Sequence, residues 1–257
     1  MLLVLFRNDL CSAEPFPMPD RIVNFSISRR AAAYAPAALL FASVLVSACT
    51  SIGSAAPAQI LSHRVTVAWH QIGTTMRSPR LPLRFESGEV VRDCKDYLEQ
   101  RKHAEVAEGV NNRIAMQDYL ICDTMAVLAA DGGVVERPSN DDFGEQLRDR
   151  LDLSSFPSSL HQLALDYPVL ADLKAMTVHA DGPAVVAESA DWFFKLEVVA
   201  LADVNHDGHP DWIVWLTDEA RGGNYRDYAV LVIPDGDQTG RLHAMPVRNT
   251  DQPARQR

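Results

Sequence analysis

Residues 203–211 read Asp203, Val204, Asn205, His206, Asp207, Gly208, His209, Pro210 and Asp211. Oxygen-bearing side chains recur at alternate residues and again at the end of the run. A hard cation such as calcium gathers six to eight oxygens around one point. A tight loop can aim alternate side chains inward, and Gly208 permits the sharp turn this needs. His209 would add its backbone carbonyl. The expected ligands are Asp203, Asn205, Asp207, Asp211 and the His209 carbonyl. The same residues also suit a plain acidic hairpin turn, because Asn, Asp and Gly are turn formers. His206 and His209 among carboxylates read as solvated side chains rather than zinc ligands.

The run is similar to the first half of an EF-hand loop, but Val214 stands where an EF-hand has its bidentate Glu. Residues 212–216 (WIVWL) read as a strand, not a helix. The arrangement more closely resembles the strand–loop–strand calcium sites of FG-GAP and VCBS repeat proteins, which place D-x-N-x-D-G-x-x-D before an apolar strand. One copy is present, so the resemblance implies a calcium site and not a propeller. It implies a structural ion of modest affinity, Kd on the order of 10⁻⁴–10⁻³ M, as in extracellular modules. Asp218 and Glu219 would add an outer ligand if the next loop folded back.

Four cysteines are present. Cys49 ends the apolar run of residues 31–48, which follows Arg29 and Arg30. Positive residues, an apolar core and small residues at its end make a secretory signal. Val46-Ser47-Ala48-Cys49 resembles the bacterial lipobox. The resemblance implies cleavage before Cys49, a diacylglyceryl thioether on its sulfur and N-acylation, which together suffice for a stable membrane anchor. Thr50 in place of Asp implies the outer membrane, facing the periplasm. A twin-arginine route fits less well, because Ala31 to Ala33 stand where Phe-Leu should follow. The segment before Met18 is long for such a signal, and Met18 is a second candidate start; Cys11 would then not be translated.

Cys94 and Cys122 remain, an even pair in an oxidising compartment. A disulfide between them would close a loop of about 27 residues, worth about 3–4 kcal/mol in the chain-entropy model. Two separate buried thiols are the alternative. Zinc would need more ligands than His103 supplies.

The chain carries 24 Lys and Arg against 34 Asp and Glu, a formal net charge of −10. This excess argues against nucleic acid and against a broad electrostatic grip on anionic lipid, and suits a basic protein partner. Residues 217–228 (TDEARGGNYRDY) read as a long loop in which Arg221, Tyr225, Arg226 and Tyr228 are candidate partner-binding residues, since Tyr and Arg anchor interfaces. A plain mobile loop is the alternative. No Gly-x-Ser-x-Gly, His-Glu-x-x-His, phosphate loop or dinucleotide fingerprint occurs. The expectation is a non-enzymatic envelope protein that binds another protein, similar to periplasmic immunity lipoproteins that inhibit cell-wall hydrolases. The competing expectation is an envelope hydrolase acting on peptidoglycan or glycan through a dispersed carboxylate pair.

These residues need a scaffold. Residues 1–48 are set aside as signal, 49–60 read as a lipidated tether, and 251–257 as a disordered tail. Residues 61–250 read as one α+β domain, helical over about 87–176 and β over about 177–248. HRVTVAW (63–69) alternates like a strand. A helix is expected from Val90, because Val90, Cys94, Tyr97 and Leu98 share a face. A second is expected over 111–130, with a stripe of Ile114, Leu120, Ile121, Met125 and Leu128 and an end at Gly132-Gly133. The disulfide would staple this hairpin. Further helical pieces are expected over 141–151, 156–165 and 168–176. Four strand-like runs then follow, DWFFKLEVVALADV, WIVWL, YAVLVIP and RLHAMPV, which suit an antiparallel meander.

Overall fold

A central antiparallel sheet divides the core into two halves, one on each of its faces. The computed structural model describes residues 59–130 and 142–247. The signal, Met18, Cys11, Cys49, residues 49–58 of the tether, Gly132-Gly133 and the tail lie outside them.

In chain order the elements are β1 (Gln59–Ile60), α1 (His63–His70), α2 (Ile72–Thr75), β2 (Leu83–Arg84), β3 (Val90–Val91), α3 (Cys94–Gln100), α4 (Val110–Ala130), α5 (Phe143–Arg150), β4 (Thr177–Asp181), β5 (Ala184–Glu188), β6 (Trp192–Ala202), β7 (Asp211–Ala220), β8 (Arg226–Ile233) and β9 (Met245–Pro246). Helices thus come first and the meander last, an α+β fold. The large sheet runs β4-β5-β6-β7-β8-β9, every neighbour antiparallel, with β1 also paired to β6.

Strand alternation gives both faces an apolar surface. Trp212, Val214 and Leu216 join Phe194, Leu196 and Leu231 on the face covered by α5 and residues 151–173. Ile213, Trp215, Tyr228 and Val230 lie on the face covered by α1, α3 and α4. Register shifts between Val198 and Ala200. Val199 and Ala200 consequently both face the helices, as a bulge requires. Gly144 lets α5 close on the sheet: a Cβ there would lie 2.1 Å from the Ala184 carbonyl oxygen.

The disulfide is present. Cys94 and Cys122 are bonded, with Cα atoms 5.1 Å apart, and both are fully buried. The bond ties α3 to the middle of α4. Arg80 Nε donates to Cys94 Sγ, Arg80 Nη1 to the Asp118 carbonyl and Arg80 Nη2 to the Thr75 carbonyl. Beside it Asp123, buried on α4, accepts from Tyr97 Oη at 3.1 Å and pairs with Arg101. Arg101 also donates to the Val247 carbonyl. Burial lifts the Asp123 carboxyl to about 6, against the pull of Arg101. For the guanidinium the attraction of Asp123 and Tyr97 outweighs burial, and its pKa rises.

Several local expectations are corrected. HRVTVAW is helix α1, not a strand, because Val65 and Ala68 bury one helical face against the core; packing overrides the β-branched alternation. Gln59 and Ile60, expected in the tether, pair with Leu201 and Ala200 of β6. Val90 and Val91 form a short strand with β2. Asp93, whose Oδ1 accepts from the Asp96 N–H at 2.8 Å, starts α3 four residues later than Val90 suggested. Ile114 is exposed, and α4 buries Ala115, Tyr119 and Cys122 instead. The helical pieces 156–165 and 168–176 shrink to 3-10 turns at His161–Leu163 and Leu170–Asp172. A hairpin, β4 and β5, turns at Asp181-Gly182-Pro183, and only Met245–Pro246 of RLHAMPV pairs as a strand.

Candidate functional site: the loop between β6 and β7

The longest two strands of the sheet meet at the Asp203–Asp211 run. His206 and Gly208 adopt left-handed backbone, φ 60° and 88°, the conformations that close a tight loop. Side-chain oxygens hold it. Asp203, buried, accepts from the Asp207 N–H and the Gly208 N–H, both at 3.0 Å. Asn205 Oδ1 accepts from the Asp207 N–H at 3.0 Å, and Asn205 Nδ2 donates to Asp207 Oδ2 at 2.8 Å. Asp207 Oδ1 accepts from the His209 N–H at 2.8 Å, which holds the Asp207 carboxyl below its ordinary pKa.

Asp211 opens β7 and is fully buried. Its Oδ2 accepts from the Val204 N–H at 2.9 Å and the Asn205 N–H at 3.2 Å, and its Oδ1 from the Asp235 N–H at 3.0 Å. Burial still raises its pKa over these three donors. The last bond brings in a second segment, the turn after β8. Asp235 there is left-handed, φ 49°. Its Oδ1 is buried and has no hydrogen-bond partner among the described residues. Gly236 follows beneath Trp212, where a Cβ would sit 2.2 Å from the indole.

The expected ligands Asp203, Asn205, Asp207, His209 and Asp211 therefore share one loop. Among the described residues, no group of three or more His, Cys, Asp or Glu side chains is drawn together as a metal cluster. Asp203, Asn205 and Asp211 instead spend oxygens on backbone N–H groups. The donor set nonetheless suits a hard cation. It is all oxygen, and the orphaned Asp235 carboxyl oxygen adds an acceptor with no donor. Asp218 and Glu219 do not join it: they sit toward the far end of β7, bonded elsewhere.

Asp218, with no exposed surface, accepts from the Ser159 N–H, Ser159 Oγ and Trp192 Nε1, each at 2.7 Å, and from Tyr225 Oη at 3.3 Å. Glu219 accepts from Tyr228 Oη. Sequence reasoning missed the first cluster, because Ser159 and Trp192 approach Asp218 only through the fold. It missed Asp235 because Pro234-Asp235-Gly236 reads as an ordinary strand end.

The segment 217–228 is shorter as a loop than expected. β7 runs to Ala220 and β8 starts at Arg226, so residues 221–225 make the connection. Tyr228 is buried. Arg226 Nη1 donates to the Ala220 carbonyl at 2.8 Å. Tyr225 stacks at 5.3 Å from Trp192. Arg221 pairs with Glu188 and lies over Phe193. Of the four, Arg221 alone is exposed.

Comparisons with protein-family models, curated proteins and solved structures return no match.

Proposed function

We propose that the chain is a non-enzymatic, lipid-anchored envelope protein, held at the outer membrane through Cys49 and facing the periplasm, whose body carries a structural calcium ion and binds another protein. The Asp203–Asp211 loop carries this reading, since it combines the motif's spacing with a turn between the sheet's two longest strands. Asp203, Asn205, Asp207 and Asp211 would hold the ion by their side chains and His209 by its carbonyl. Bound calcium neutralises crowded carboxylates and cross-links the two strand ends. The net charge of −10 supports a basic partner. A cell-wall hydrolase is the specific candidate, with this chain as its immunity-type inhibitor.

Two measurements test the proposal. With Kd on the order of 10⁻⁴–10⁻³ M, 10 mM calcium added to chelator-treated protein should contribute about 1.4–2.7 kcal/mol, a rise of about 3–10 °C in melting temperature. Asp207→Ala should abolish the rise. The partner is tested by co-purification with a peptidoglycan hydrolase and inhibition of its activity. A chain that binds no such enzyme, or binds without inhibiting, overturns that assignment.

A further inference from the structure

Three segments meet at one buried carboxylate. Asp123 lies on α4, next to Cys122, and the disulfide holds α3 against it. Tyr97, on α3, donates to Asp123 Oδ2 at 3.1 Å. Arg101, the residue that ends α3, pairs with Asp123 Oδ1 and also donates to the Val247 carbonyl, just past β9. Asp123 and Tyr97 are buried. The Arg101 side chain keeps 17% of its surface exposed, a route by which its guanidinium can turn outward. The far end of this bridge is short of other holds. β9 pairs with β8 only through Met245 and Pro246. Beyond them the Val247 N–H donates to the Val230 carbonyl at 2.9 Å, and the Val247 side chain packs on the core beneath α3 and α4. A two-residue strand gains little from its own ladder, so the charge-assisted bond from Arg101 fixes its end.

We propose that Arg101 latches the carboxy-terminal strand to the disulfide-tied hairpin, and that protonation of Asp123 releases the latch. Among the described residues, Arg101 and Tyr97 are the titratable groups that act on Asp123; none on α1, β2 or β8, which also pack on α4, does so. Arg101 stays charged. Burial and Asp123 hold the Tyr97 hydroxyl well above its ordinary range, hence neutral. Asp123 alone therefore changes charge in mild acid. Burial lifts its carboxyl and Arg101 pulls it down, with the balance at about 6. With the latch open the pull is gone and the burial remains, so the open form binds the proton more tightly and acid favours opening. Asp123 stays inside, neutral and beside Tyr97. Opening takes the donor from the Val230 carbonyl and uncovers Val247.

The test is amide hydrogen exchange on the full chain in detergent, from about pH 4.5 to about 7.5. It is read at Val247 and, as a control, at Val214 and Leu216 in the middle of the sheet. Val247 protection, corrected for intrinsic exchange, should fall about tenfold or more in acid, with a midpoint near 6. The control amides should hold. Asp123→Asn keeps the shape and an acceptor for Tyr97, and should show the low Val247 protection at every pH. Unchanged Val247 protection in the parent overturns the latch. So does an equal fall at Val214 and Leu216, which marks acid unfolding of the whole body. A pH-dependent fall that persists in Asp123→Asn overturns the assignment to Asp123.

Discussion

Removing the Cys94–Cys122 bond should cost the fold several kcal/mol. The residues are 28 apart. The chain-entropy relation, with a loop of that length, gives about 3.6 kcal/mol at room temperature. A domain of this size shifts its melting temperature by about 2–4 °C per kcal/mol, so the expected loss is about 7–14 °C. Cys94→Ala with Cys122→Ala is the better variant, because Ser would bury two hydroxyls. Differential scanning calorimetry of the variant against the parent reads the shift. Both sulfurs are fully buried, so millimolar dithiothreitol should leave the native bond intact until the fold opens. A shift under about 2 °C would refute the chain-entropy reasoning. Rapid thiol release from the folded protein would refute the burial.

Two further outcomes follow from buried carboxylates. Asp218→Ala leaves the donors of half-buried Ser159 and Trp192 unpaired and should cost about 1–3 kcal/mol, read by urea unfolding; a cost below about 0.5 kcal/mol would contradict the cluster. Asp123 has a folded pKa of about 6 against an unfolded value near 3.9. Between those values the folded chain holds more proton, so this group's contribution is greatest in acid and declines as pH rises through about 6. Asp123→Asn should flatten the melting profile between pH 4 and 6, and an unaltered profile would show that Asp123 does not titrate there.

The helices of the hairpin and three of the four strand runs were legible because each rests on local pattern: i, i+4 spacing on α3 and α4, and apolar runs on β6, β7 and β8; the disulfide was legible by elimination, since Cys94 and Cys122 are the pair left once Cys11 and Cys49 are set aside. The paired Trp212 and Trp215 faces followed from strict alternation. Two of the failures share one cause, partners that lie far along the chain. Val65 and Val67 look like a strand locally, and only the core they meet makes His63–His70 helical. Gln59 and Ile60 look like tether, and only β6, far along the chain, makes them a strand. The β4–β5 hairpin carried a usable signal in Asp181-Gly182, hidden by the short apolar stretch after it. In the site, the residues contributed by one loop could be listed from spacing. Asp235 could not, because its approach depends on β7 and β8 lying side by side.

The pairing of β1 with β6 also sets an order of events. Gln59 meets Leu201, so the first strand has no partner until β6, about 140 residues further on, has been made. The face on which α1, α3 and α4 pack is likewise built from β6, β7 and β8. During synthesis the amino-terminal helices therefore emerge with an uncovered apolar side and wait. The adjacent hairpins β6–β7 and β7–β8 close from short loops and can assemble quickly. They arrive last and serve as the template on which the earlier part of the chain settles, so a chain cut short before residue 192 would leave those helices sticky and prone to aggregate.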